Sequence, residues 1–187
     1  MIEFFETPLK DLKVIKRNPK GDERGFLERL YCQKTLNSLT NNKNIVQINH
    51  TLTEKKFAVR GLHFQDFPYS EIKIVSCLKG KIWDVAVDLR KDSPTFLKHH
   101  GVILSEENFS SLFIPEGFAH GFQTLLPNCE LIYFHTEYYN PSHEGGLHPL
   151  DPSLGIEWPM KISQLSERDK GHKMLNKKFI GLNHEMS

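Results

Sequence analysis

Arg60-Gly61-Leu62-His63 places a fixed cation, a glycine and a titratable imidazole in one short stretch, flanked by the apolar strand formers Val59 and Phe64. Burial disfavours the charged form of a histidine, and a neutral imidazole can accept a proton. An arginine fork beside it suits a planar anion such as phosphate or carboxylate. The stretch therefore reads as a base next to an anion clamp. A histidine on a half-buried strand also has a plainer use, as a satisfied core residue, so the reading depends on what else the chain supplies.

It supplies a set that fits proton transfer. Lys73 sits among apolar neighbours in Glu71-Ile72-Lys73-Ile74-Val75, and several tyrosines lie on strand-like segments. Taking a proton from a carbon next to a carbonyl needs a base, a cation at the enolate oxygen, and an acid on the far face. His63, Lys73 and a tyrosine would fill those roles, with arginines holding an anionic handle. Other chemistries have less behind them. A metal-holding jelly roll would show two histidines separated by one residue, whereas His63 is followed by Phe64-Gln65. His99 and His100 are adjacent and would face opposite sides of a strand. No spacing supports a composite site from His50, His63 and His120, so no metal and no cofactor are expected. There is no G-x-S-x-G elbow, no P-loop and no G-x-G-x-x-G.

The elements that would position these residues are mostly strands. The 187 residues fit one domain, 1–187, with a short N-terminal strand extension and a polar, partly helical C-terminal tail. The net charge of +1 gives no global field to attract nucleic acid or a membrane surface. Ten histidines mildly favour proton or metal chemistry. Three cysteines without a CxxC pair read as free thiols in a reducing compartment. No basic-then-apolar leader pattern and no membrane-length apolar run occur, so a cytoplasmic protein is expected.

Short strand-like runs recur roughly every 8–12 residues between Gly, Pro and Asn turns. Ile45–Thr51 alternates, with Val46, Ile48 and His50 on one face and Gln47, Asn49 and Thr51 on the other. The amide face would be a solvated surface or the wet wall of a pocket. Ile82–Leu89 is a strong strand that places Asp84 and Asp88 on one face with Ile82 and Ala86, either solvated or paired. Thr35–Leu39 predicts a short helix ending among asparagines, and Ser163–Asp169 a capped one. The pattern is all-β, a double-sheet jelly roll of the cupin-like kind, with a few short helices.

Collinear motifs carry a resemblance. Asp22-Glu23-Arg24-Gly25-Phe26, Arg60–Gln65, Lys73, Asp84–Arg90, Ser93-Pro94-Thr95-Phe96, Ile114–Phe122 and Gly155-Ile156-Glu157-Trp158-Pro159 resemble, in order, the dTDP-4-dehydrorhamnose 3,5-epimerase family. The resemblance implies a cofactor-independent homodimer that inverts C3 and C5 of a nucleotide-linked 4-keto-6-deoxy sugar. It makes His63 the base, Asp169 its carboxylate partner, Tyr133 the opposing acid and Lys73 the cation at the enolate oxygen. Arg60 and the neighbouring subunit's Arg24 would hold the diphosphate. Glu28, Gln47, Asn49, His120, Glu144 and Arg168 match further ligand contacts, and Tyr139 the aromatic that stacks on the nucleobase. Because Arg60 and His63 have opposite strand parity, a bulge or strand end is expected near Gly61.

Two departures from the family pattern stand out. Arg168 replaces the usual lysine and changes donor geometry. Leu147-His148-Pro149-Leu150 resembles versions found in epimerases of other deoxysugar pathways. That leaves C3-only or C5-only epimerisation of another nucleotide sugar open, beside a non-catalytic sugar-nucleotide-binding jelly roll.

Overall fold

The computed structural model describes residues 2–176 and 178–183, so the end of the polar tail and the first methionine lie outside the described residues. Six strands form one antiparallel sheet, in the order β1 (Ile2–Glu6), β2 (Lys13–Arg17), β10 (Ser110–Ile114), β7 (Lys73–Lys79), β12 (Cys129–His135) and β5 (Gln47–Thr53). Five form the facing sheet, in the order β13 (Glu144–Gly146), β6 (Val59–Gln65), β11 (Phe118–Thr124), β8 (Lys81–Asp88) and β9 (His99–Ser105). The hairpin of β3 (Lys20–Asp22) and β4 (Gly25–Leu27) stands apart. Two single-turn helices, α1 (Gln33–Leu36) and α2 (Glu167–Lys170), complete the described elements. This is the all-β double-sheet jelly roll.

Period-two alternation explains how the layers close. Val75, Cys77, Leu112 and Leu131 of the larger sheet meet Ile82, Ala86, Leu104 and Phe122 of the smaller one in the central core. Each of the Val, Leu, Ile and Phe side chains contributes about 1.5–3 kcal/mol when fully buried. The opposite face of β8 carries Val85 and Val87, which are also buried. They are covered by the C-terminal third of the chain, through Leu154, Trp158, Leu175 and Phe179. Both faces of the smaller sheet are thus dry in its middle. Asp84 and Asp88 lie fully buried there, and both are paired rather than solvated.

Two local features bear on the site. The helix expected over Thr35–Leu39 forms earlier, as α1, because the Cys32 carbonyl accepts from the Thr35 and Leu36 amides and Leu36 packs into the core. The chain then runs on in turns through the asparagines. On β6, His63 pairs with His120 but Arg60 pairs with Phe122, so Gly61 and Leu62 stand opposite the single Gly121. That is the bulge expected near Gly61. Gly61 has φ +123°, and an added Cβ would lie 2.6 Å from the Gly121 Cα. Only glycine fits there.

Candidate active site

The two sheets splay at one end around a cavity of about 620 Å³. That volume suits a small organic ligand. The bulge does the first positioning step. It cancels the parity difference between Arg60 and His63, and both line the cavity.

His63 comes from the smaller sheet. Its Nε2–H donates to Asp169 Oδ1 at 2.7 Å, which leaves the lone pair of the neutral ring on Nδ1. Asp169 sits on α2 because Ser166 caps that helix, its Oγ accepting from the Asp169 amide at 3.0 Å. The Gly61 amide donates to Asp169 Oδ2 at 3.4 Å, tying carboxylate and bulge together. Burial acts to raise the Asp169 carboxyl. The hydrogen bond and charge of His63, with Ser166 and Gly61, outweigh it, so its pKa is lowered and Asp169 is anionic.

Tyr133 comes from the larger sheet, and therefore from the opposite wall. It is part-exposed to the cavity yet deep in the protein, and burial, reinforced by the Asp84 charge, raises its phenol pKa. It stays protonated at neutral pH and can donate. Two histidine rings flank it, each 6.1 Å away between centroids: His120 edge-on and His135 stacked. Each ring is tied to a carboxylate, Asp84 buried and Glu71 part-buried. His120 Nε2–H donates to Asp84 Oδ1 at 2.8 Å, and His135 Nδ1–H donates to Glu71 Oε2 at 2.7 Å. Asp84 is raised by burial, against the pull of His120.

Lys73 opens β7 and pairs with Glu71 Oε1 at 3.0 Å. Burial acts to raise Glu71, but the Lys73 charge and His135 outweigh it and the net direction is down. Lys73 is buried and lines the cavity.

The mouth is polar. Gln47, Asn49, Thr51 and Thr53 of β5 line it, so the amide face is the wet wall of the pocket. Asn49 Nδ2 donates to His135 Nε2 at 3.3 Å. Arg60 is held by Thr53 Oγ1 at 2.9 Å and the Leu52 carbonyl at 3.3 Å, which leaves part of its guanidinium for an anion. Tyr139 is an exposed aromatic at the rim. Its amide donates to Gln47 Oε1 at 3.1 Å and its hydroxyl to Glu144 Oε2 at 2.7 Å. Arg168 pairs with Glu144 from the other side. The Arg168 and Tyr139 hydrogen bonds overcome burial and lower the Glu144 pKa.

Two expected site residues lie elsewhere in the chain. Arg24 is on the β3–β4 turn, 85% exposed at the side chain, and is paired with the adjacent Asp22. Glu28 accepts from Arg17 Nε at 2.7 Å, above a buried cluster of Arg17, Ser76 and Ser111. Neither lines the cavity. Three residues that the sequence reading passed over do belong to it or to its immediate support: Glu71, His135 and His172. Glu71 and His135 are 64 residues apart, and only the β7–β12 register brings them together. His172 follows a glycine in a polar stretch that carries no periodicity.

Among the described residues, His63, Asp169 and His172 are the one His/carboxylate group within metal-ligand reach, with donor atoms inside 4.8 Å of one another. The 2.7 Å between His63 Nε2 and Asp169 Oδ1 is a hydrogen bond. It is tighter than the ~3.3 Å that separates donor atoms around a tetrahedral ion with ~2.0–2.1 Å bonds. The pair is set for a proton.

An aspartate-held imidazole on one sheet, a protonated phenol on the other, and a cationic and amide-lined mouth define a jelly-roll enzyme of proton-transfer chemistry. The chain belongs to the dTDP-4-dehydrorhamnose 3,5-epimerase family, whose model matches residues 6–177. It is 43% identical over 182 residues to the dTDP-4-dehydrorhamnose 3,5-epimerase of Salmonella typhimurium, covering 96% of this chain and 99% of that one. The structure superposes on that of dTDP-6-deoxy-D-glucose-3,5-epimerase from Legionella pneumophila in complex with dTDP-4-keto-L-rhamnose. The TM-score is 0.92 at 39% identity, covering 99% of this chain and 100% of that one. A 3'-monoepimerase from Streptomyces bikiniensis in complex with dTDP-quinovose is similar at TM-score 0.84 and 27% identity, over 90% of this chain and 85% of that one.

Proposed function

We propose that this cavity inverts C3 and C5 of a dTDP-linked 4-keto-6-deoxyhexose, turning dTDP-4-dehydro-6-deoxy-D-glucose into dTDP-4-dehydro-L-rhamnose. The observation that carries the reading is the opposition of the His63–Asp169 pair and Tyr133 on facing sheets. Inversion requires that a proton leave one face of the carbon and another arrive on the opposite face. His63 takes the proton, and Asp169 stabilises the imidazolium that results. Lys73 stabilises the enolate oxygen formed from the C4 carbonyl. Tyr133 returns a proton from the far wall, its ring edge-on to His120, which stands beside His63 on the smaller sheet. Each positioned acid or base contributes about 10²–10⁴-fold.

The rest of the cavity holds the nucleotide. Arg60 meets the diphosphate, Tyr139 stacks on the base, and Gln47, Asn49, Glu144 and Arg168 fix the sugar and nucleoside by hydrogen bonds. Arg24 and Glu28 reach the cavity of a second copy, which makes the working unit a homodimer. The exposed Phe26 and Leu27 beside Arg24 support that reading, since an isolated hairpin gains nothing by showing them to water. Among the described residues no helix is long and apolar enough to cross a membrane. The three free thiols fit the reducing cytoplasm.

The test is deuterium incorporation from D₂O into dTDP-4-keto-6-deoxyglucose, followed by NMR at both carbons. Exchange at C3 and C5 is expected, and His63→Ala abolishes it while nucleotide binding persists. Exchange at one carbon alone would reduce the reading to a mono-epimerase. Undiminished exchange in His63→Ala would mean a different base.

A further inference from the structure

His172 is the ring next to the base. It meets His63 edge-on, with centroids 5.5 Å apart at 70°. Its Nε2 lies 3.7 Å from Asp169 Oδ1, the same oxygen that His63 bonds at 2.7 Å. That Nε2 is buried and has no hydrogen-bond partner. Its ring is held against Gly146, where an added Cβ would strike it. A buried ring nitrogen left unpaired costs free energy, so a packing role alone accounts poorly for a histidine here. A shift of roughly half an ångström or more would complete a second hydrogen bond to Asp169.

We propose that His172 is a positioning residue for the base: it shares the Asp169 carboxylate with His63 and so limits how firmly that carboxylate holds a proton on His63. The inference rests on the reading of His63 as the base. Its chemical sense lies in the reaction. A base that inverts two carbons must gain a proton and lose it again for each, and an undivided carboxylate partner would trap the imidazolium. A second donor on the same oxygen draws off part of that stabilisation.

The charged and titratable groups facing His172 are His63, Asp169, Arg168 and Glu144. Burial, followed by the His63 charge, lowers the His172 pKa, so at neutral pH the ring is uncharged and has one N–H to offer. It touches the carboxylate and the base ring, and the substrate is handled by His63.

The experiment is the pH profile of deuterium-exchange kcat/KM in wild type, His172→Phe and His172→Gln. Phenylalanine keeps a ring against Gly146 and removes both nitrogens, and glutamine keeps a donor. In His172→Phe the acidic limb should move up by about half a pH unit, as expected for one lost donor to a shared carboxylate. Below the limb the rate should fall about threefold, with the alkaline plateau kept. His172→Gln should lie between that variant and wild type. A uniform loss across pH, or an unchanged limb, would overturn the inference. If His172→Phe does not fold, His172→Gln alone decides: its limb must still move upward. NMR titration of the His63 ring without sugar separates the two readings. An upward displacement in the variant supports the coupling even if His63 proves not to be the base, and no displacement removes it.

Discussion

Three histidines face this cavity, each tied to a carboxylate, and their settings differ. His63 is part-exposed, and its buried partner Asp169 is hydrogen-bonded to the bulge. His120 and His135, both buried, flank Tyr133 from the smaller and the larger sheet, tied to Asp84 and Glu71. The candidate base and the opposing phenol thus stand on different sheets, His63 on β6 and Tyr133 on β12. Tyr133→Phe therefore separates removal from return. Its inversion rate should fall by about 10²–10⁴-fold, while exchange at the carbon facing His63 falls less. Measuring loss of substrate C–H label beside product formation checks this, and equal loss of both would assign Tyr133 to the removal step. His63 and Arg60 were legible in the sequence because they sit in one stretch with a glycine between them. Glu71 and His135 were not. Each alone is an ordinary strand residue, and the pairing that defines them depends on strand register 64 residues apart. Asp84 shows the middle case. Alternation put it on one face with Ile82 and Ala86, either solvated or paired, and its burial and its partner His120 came only from the fold.

At the scale of elements, the bulge on β6 shapes the cavity, and a buried ion-pair cluster closes the end of β8 away from it. Period-two reasoning exposed the parity conflict between Arg60 and His63, and a glycine between them was the physical solution. Gly61→Ala should cost roughly 1–3 kcal/mol, through an unfavourable positive φ and a clash with the facing strand. It should also separate diphosphate binding from exchange. Urea unfolding and nucleotide binding measure both, and a variant as stable as wild type would show that the bulge is not needed. At the other end Asp88 Oδ1 and Oδ2 accept from Arg90, Ser93 and Thr95. Burial would raise its pKa, but these bonds, led by Arg90, lower it. The folded value lies below the unfolded one, so this stabilisation is complete above the ordinary carboxylate pKa of about 3.9 and is lost as pH falls through the folded value. Asp88→Asn should lower the denaturation midpoint at neutral pH, and the gap to wild type should close as pH falls below the ordinary carboxylate value. A gap that stayed constant in acid would mean that the charge on Asp88 contributes nothing. Element type and order were largely readable, since β-strand alternation survives in any context. The cover of the smaller sheet by Leu154, Trp158 and Phe179 was hidden, because a Gly- and Pro-rich stretch shows no period before it is packed.

For the whole molecule the open end of the cavity matters most. Arg24 sits on a projecting hairpin with Phe26 and Leu27 exposed, and Ile48 and Leu52 are exposed on the outward face of edge strand β5. These surfaces make sense if two copies pack together and each completes the other's anion site. Paired subunits test this without any structural measurement. A heterodimer of one Arg24→Ala chain and one His63→Ala chain, purified through two different tags, contains one intact site if Arg24 acts in trans. It should then show about half the exchange rate of a wild-type dimer, by two-fold symmetry. A heterodimer of wild type with the Arg24→Ala/His63→Ala double variant carries the same two substitutions. In it every cavity lacks either the base or the arginine, so activity should fall to the level of the single variants. If Arg24 serves its own chain's cavity the two results exchange places: the second heterodimer keeps half and the first keeps little. If both heterodimers keep half, Arg24 has no part in the site.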